Sequence, residues 1–161
     1  MGCGSGANAI LAAQHTDDVV AVDINPRAVS AAAANAASNG VGDRVRCAVS
    51  DLFERVEGLF DVIVFDPPFR WFAPRDLLER AITDENYETL GRFITEAPRR
   101  LREKGCILLF FGTSGDVGHL DALTRHAGFV VQSIAERTLD VRGESTTYFV
   151  RRLVETPDVG P

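Results

Sequence analysis

Phe60-Asp61-Val62-Ile63-Val64-Phe65-Asp66-Pro67-Pro68-Phe69 is an apolar run of strand length that ends in a stiff acidic turn. The first six residues predict a buried strand. Proline fixes φ and has no N–H, so Pro67 and Pro68 together give a rigid loop lined with carbonyl acceptors. Asp66 adds a carboxylate and Phe69 a flat face for stacking. Such a turn accepts hydrogen bonds and offers few. It suits a planar group carrying an NH2, such as a nucleobase or a carboxamide. Asp-Pro also begins many ordinary turns, so the weight of this one comes from its neighbours in the chain.

Upstream, Gly2-Cys3-Gly4-Ser5-Gly6 opens into a helix start at Ala7 to Ala13. Val19 to Val22 reads as a strand stopping at Asp23. Asn25 is placed to cap, and Pro26 to begin, an alanine-rich helix that Asn39-Gly40 ends. Val45 to Val49 is a third strand-like run, closed by Ser50-Asp51. Downstream, residues 70 to about 84 predict a loop holding Arg70, Trp71, Phe72 and Pro74, long enough to suggest a role. Asp84 can cap a helix with Glu85 and Glu88 in its first turn, expected to run to about Lys104 and bend at Pro98. Cys106 to Phe111 predicts a buried strand and Val117 to His126 a helix ending at Gly128. Phe129 to about Ala135 and Thr147 to Leu153 predict two antiparallel strands joined by polar sequence around Arg142-Gly143-Glu144. Strands alternating with helices predict an α/β fold with a mainly parallel sheet closed by a C-terminal antiparallel hairpin strand.

The chain has 161 residues, 45% hydrophobic and 25% charged, with a formal net charge of −6. That is an ordinary globular composition, and its bulk charge advertises no nucleic-acid partner, although a local cluster can dock one. Cys3, Cys47 and Cys106 are scattered without a C-x-x-C, which reads as buried thiols in a reducing compartment. No apolar segment reaches membrane-spanning length and no signal peptide is visible, so the cytoplasm is the expected location and no membrane partner is expected. His15, His119 and His126 lack ligand spacing, and no metal site is expected.

Glycine lets a backbone approach a ligand closely, and a G-x-G-x-G loop at a helix N-terminus presents free N–H groups. With Ala7 standing for a third glycine, the same loop also suits a nicotinamide or flavin dinucleotide. In open α/β sheets ligands bind beyond the carboxyl ends of the strands. Three successive strands end in Asp23, Asp51 and Asp66, the first able to accept from two ribose hydroxyls and the second from an exocyclic amine.

As a set, Gly2-Cys3-Gly4-Ser5-Gly6-Ala7, Val22-Asp23-Ile24-Asn25, Ser50-Asp51-Leu52-Phe53 and Asp66-Pro67-Pro68-Phe69 resemble the Rossmann-like class I S-adenosylmethionine-dependent methyltransferases. In particular they are similar to the small-domain branch, with the release-factor glutamine and ribosomal RNA N-methyltransferases. The resemblance implies a methyltransferase domain over 1–154 and a polar tail over 155–161. It implies S-adenosylmethionine as cofactor, with Gly2, Cys3, Gly4 and Gly6 around its methionine portion. Asp23 would meet its ribose, Asp51 and Leu52 its adenine, and Ile24 and Asp66 would also border the cofactor. Asp66, Pro67, Pro68 and Phe69 would form the catalytic pocket for the target nitrogen. The implied activity is N-methylation of a planar amine or amide, in a release-factor glutamine or an RNA or DNA base.

Two departures qualify the resemblance. The family's glycine motif follows a central strand, and here Met1 stands directly before Gly2, so that first strand is expected to be missing from this chain. Translation then starts upstream, or the chain is a fragment, or a partner, such as a second copy in a homodimer, fills the gap. A non-catalytic fragment or partner-dependent subunit is thus one alternative, and an NAD(P)-dependent oxidoreductase another. The motif also begins with Asp where many relatives have Asn, which keeps N-methylation but blurs the acceptor. The mixed loop Arg70-Trp71-Phe72-Ala73-Pro74-Arg75 suits a stacked base or an aromatic lid over the cofactor.

Overall fold

A computed structural model of the chain describes residues 1–72, 83–141 and 144–156. It divides after Gly58 into two units, Met1–Gly58 and Leu59–Pro161. Ala73, Pro74 and Arg75 of the aromatic loop, and residues 157–161 of the polar tail, lie outside the described residues.

The first unit holds α1 (Ala7–Ala12), β1 (Val19–Asp23), α2 (Pro26–Ser38) and β2 (Val45–Val49). Asn25 and Pro26 start α2 as the sequence predicts. The Asn25 side chain accepts the Arg27 N–H at 3.0 Å, and proline occupies a position whose N–H would have no helical partner. Such a cap is worth about 1 kcal/mol. The buried positions of α2, Ala32 and Ala36, are small enough for close backbone approach. Ala13, Ala21, Ala36, Val41 and Val45 form the core, with Ile10 and Cys47 packed on it. β1 and β2 pair in parallel from Val19 opposite Val45 to Asp23 opposite Val49, so they end level. That register brings Asp23 and Ser50-Asp51 to one end of the pair.

The second unit is a four-stranded sheet ordered β3-β4-β6-β5, with β3 (Phe60–Phe65), β4 (Leu101–Gly112), β5 (Phe129–Val141) and β6 (Glu144–Glu155). β3 and β4 are parallel, while β6 runs antiparallel to both β4 and β5. Each unit is α/β as expected and the closing antiparallel hairpin is present, but the described four-stranded sheet is mixed, with one parallel and two antiparallel pairings. α3 (Glu88–Glu96) and α4 (Val117–His126) complete the unit. Leu90, Phe93, Ile107, Leu109, Phe111, Leu120 and Leu153 are fully buried, and Phe65 meets Phe93 at 4.2 Å between ring centroids. Asp116 caps α4 by accepting the His119 N–H at 2.8 Å.

Three expectations are corrected. The helix expected from Asp84 to Lys104 is broken at both ends. Asn86 and Tyr87 hold left-handed φ values of 54° and 57°, so a single 3₁₀ turn, Glu85–Tyr87, precedes α3. Pro98 cannot donate back to the preceding turn, the chain tightens into a 3₁₀ turn at Ala97–Arg100, and Leu101 already begins β4. The polar run 102–104 is therefore strand, shifted in register against β3, with Lys104 at φ 66°. Gly105 is required there, since a Cβ would lie 2.9 Å from the Arg102 carbonyl oxygen and 3.0 Å from that of Phe60. Secondly, β5 and β6 are longer than expected. β4 stops at Gly112 opposite Tyr148, and the remainder of β5 and β6 pair with each other as a polar ribbon, with the Thr138 and Thr147 hydroxyls 2.8 Å apart. Thirdly, Glu155 belongs to β6 rather than to a tail, and the Thr156 N–H donates to the Gly128 carbonyl at 3.0 Å.

Candidate active site

In the first unit the glycine loop is tied to the end of β1. The Cys3 N–H donates to the Val22 carbonyl at 2.8 Å, and the Gly6 N–H returns to the Cys3 carbonyl at 2.7 Å. Gly2, Gly4 and Gly6 all have positive φ. At Gly4, with φ 51°, a Cβ would meet nothing within 4 Å, so the space above that backbone is open. At Gly6, with φ 86°, a Cβ would lie 3.0 Å from Ala32, so glycine here serves packing as well as torsion.

Asp23 holds this loop. One carboxylate oxygen accepts the Gly4 N–H and the other the Asn25 N–H, each at 2.9 Å. A carboxylate has about four acceptor positions, so these two bonds do not exhaust its acceptor capacity. Ile24 beside it is 68% exposed, an unusual placement for isoleucine in a turn. The turn after β2 is organised by buried Ser50, which the sequence reading names in its motif without giving it a role. Its hydroxyl donates to the Leu52 carbonyl at 2.9 Å and accepts the Arg55 N–H at 3.0 Å, while its own N–H donates to the Asp23 carbonyl at 3.0 Å. Leu52 is held at φ 45° with its side chain buried, and Asp51 stays half-buried at the surface. Cys3 and Cys47 are free thiols whose pKa values burial raises, which keeps them protonated rather than nucleophilic.

In the second unit Asp66 follows the last residue of β3. Its carboxylate is exposed, yet desolvation by the surrounding protein raises its pKa above the ordinary aspartate value. Pro67 is fully buried, which anchors the turn. Among the described residues no hydrogen-bond donor takes the Asp66 carboxylate or the Pro67 or Pro68 carbonyl. The Phe69 ring is braced by Phe111 at 5.4 Å and by Phe110 and Tyr148, each at 6.3 Å. Its carbonyl accepts the Tyr87 hydroxyl at 3.0 Å.

The stem of the following loop is pinned by the Asp84 N–H on the Arg70 carbonyl at 2.8 Å and the Asn86 N–H on the Trp71 carbonyl at 3.1 Å. Trp71 is 55% and Phe72 37% exposed. Asp84, buried, accepts the Thr89 and Leu90 N–H groups at 2.9 and 2.8 Å and so caps α3 across the 3₁₀ turn. The sequence showed Asp84 as a cap; it held no signal for Tyr87, whose role depends on torsions set by tertiary packing. Among the described residues no group of three or more His, Cys, Asp or Glu could hold a metal ion, and no helix is long and apolar enough to cross a membrane.

The fold is that of the Rossmann-like class I methyltransferases. A precorrin-6y C5,15-methyltransferase from Geobacter metallireducens superposes with a TM-score of 0.71 at 16% identity, over 97% of this chain and 78% of that one. Residues 1–133 match the Methyltransferase small domain family, and the chain belongs to it. Among its relatives, a ribosomal protein uL3 glutamine methyltransferase of Neisseria meningitidis is 32% identical over 126 residues, which are 71% of this chain and 42% of that protein. A ribosomal RNA small subunit methyltransferase C of Alcanivorax borkumensis is 33% identical over 109 residues, 68% of this chain and 30% of that one. The chain thus spans less than half the length of either relative.

Proposed function

We propose that this protein is an S-adenosylmethionine-dependent N-methyltransferase whose acceptor is the carboxamide nitrogen of a glutamine side chain. The observation that carries the reading is the acceptor-only turn at Asp66 to Pro68: a carboxylate and two carbonyls with no donor among the described residues. A primary amide has two N–H bonds to give and a lone pair tied up in conjugation. Asp66 and the Pro67 carbonyl can take both N–H bonds, hold the nitrogen in one place, and favour its pyramidal form. Alignment of this kind is worth roughly 7–11 kcal/mol in well-oriented pairs, and preorganised acceptors add to it. Once alkylated, the nitrogen is acidic, and the raised pKa of Asp66 suits it to receive that proton.

The first unit fits the cofactor. Open space over Gly4 admits a ligand against the backbone, Asp23 retains acceptor capacity for a ribose diol, and exposed Ile24 offers an apolar face for adenine. Gly2, Cys3, Gly4 and Gly6 would border its methionine portion, and Asp51 with the Leu52 backbone its adenine amine. When bound, S-adenosylmethionine supplies an electrophilic methyl group on a sulfonium. Phe69 would flank the target amide. The name of the uL3 relative supports a glutamine acceptor.

A nucleobase amine is the second reading. It is favoured by exposed Trp71 and Phe72 beside Arg70 and by the name of the ribosomal RNA relative. Methyl-tritiated cofactor incubated with the protein and a cell extract, then split by protease and nuclease, separates the two. Label released by protease is the expected result; label released by nuclease moves the acceptor to RNA or DNA.

A further inference from the structure

Tyr87 is a buried tyrosine, 5% exposed, in a left-handed conformation that is costly for a bulky side chain. The residue before it shares that conformation. Two such torsions in succession persist only where the surroundings over-determine them, and here those surroundings are visible. The ring stacks on His119, 5.0 Å between centroids and 19° between planes, and leans on Phe111 at 6.2 Å. Its hydroxyl donates to the Phe69 carbonyl at 3.0 Å and accepts the Asp116 N–H at 2.6 Å. One oxygen therefore links the end of the Asp66–Phe69 turn to the cap of α4. Burial raises the phenol pKa, so the group stays a donor.

The same carbonyl is also approached closely by Gly115, where a Cβ would lie 2.5 Å from the Phe69 oxygen and 2.9 Å from the Phe111 ring. The turn is thus divided. Its last carbonyl is engaged by the protein, and its first acceptors are left for a ligand. A small shift of Phe69 would carry Pro67 and Pro68 with it, because two prolines leave little torsional slack. Misplacement by about 1 Å in such a site can cost about 10²-fold in rate.

We propose, resting on the reading of Asp66 to Phe69 as the acceptor turn, that Tyr87 is a positioning residue that locks this turn through the Phe69 carbonyl. Tyr87→Phe removes the hydroxyl and keeps the ring. Turnover should fall about tenfold or more while affinity for S-adenosylmethionine stays within about twofold. Gly115→Ala disturbs the same carbonyl with the hydroxyl present and should give the same split. Ile94→Val, which lightens the core of the same unit, should lower melting temperature without lowering turnover at 25 °C.

Amide exchange supplies a readout independent of any acceptor. Loss of the hydroxyl should speed exchange of the Asp116 N–H at least about tenfold. Wild-type turnover in Tyr87→Phe, or unchanged exchange at Asp116, overturns the proposal. Asp66→Ala run alongside separates the two levels. If Asp66→Ala keeps its activity, the acceptor turn itself is misassigned. If Asp66→Ala is dead and Tyr87→Phe is normal, only the lock fails.

Discussion

If Asp66 accepts the target N–H bonds as proposed, stability and function at this residue pull in opposite directions with pH. Desolvation holds its pKa above the unfolded value, so the folded protein binds that proton more tightly than the unfolded chain. Its contribution to stability is fully present below the unfolded pKa and is lost as pH rises through the folded one. On the proposed reading methyl transfer needs this carboxylate ionised, so turnover should rise with pH through the same raised pKa. Asp66→Asn should remove this acidic limb of the rate profile and lower turnover about 10²-fold or more, the scale of losing one preorganised polar contact. Its melting temperature at pH 7 should be unchanged or higher. Retained turnover with the acidic limb in place would mean that another group accepts the N–H bonds. At this scale the sequence singled out candidate residues but not the bonds they make. Asp23 is legible as a strand-end acid, but its two bonds to the Gly4 and Asn25 N–H groups emerge only when the loop folds back on β1.

Among the elements, the glycine loop and α1 show two kinds of requirement within one motif. Gly6 packs against Ala32 of α2 at positive φ, while Gly4 has positive φ and open space. Gly6→Ala should destabilise by about 2 kcal/mol or more, strain and overpacking together, and Gly4→Ala by about 1 kcal/mol, strain alone. On the proposed reading Gly4→Ala should nevertheless weaken cofactor binding, because its methyl group enters the open space over that backbone. Thermal melts and binding titrations of the pair check this; equal melting temperatures would contradict the packing role of Gly6. Elements whose ends are written in local chemistry were readable, as at Asn25-Pro26 and Gly128. The stretch from Asp84 to Lys104 was not. Its breaks come from the torsions at Asn86 and Tyr87, and its polar residues 102–104 become strand through the irregular pairing with β3 that Gly105 permits. The polar ribbon of β5 and β6 was hidden for a related reason, since cross-strand pairs such as Thr138 with Thr147 carry no apolar alternation.

For the whole molecule, the alternation of apolar runs and capped helices disclosed the α/β class, and the strand-end acids with the glycine loop disclosed the family. The order β3-β4-β6-β5 was not legible beyond the final hairpin, because pairing between distant strands depends on packing rather than on local pattern. The methyl acceptor is equally remote from the sequence pattern, as an acceptor-only turn fits any planar group bearing an NH2. The cofactor is a sharper matter, because the same glycine loop read alone would serve a dinucleotide. Titration calorimetry of this chain against S-adenosylmethionine and, separately, against NADPH decides it. Saturable heat with S-adenosylmethionine at one site per chain, and none with NADPH, is the predicted result; saturable binding of NADPH without binding of S-adenosylmethionine would contradict it.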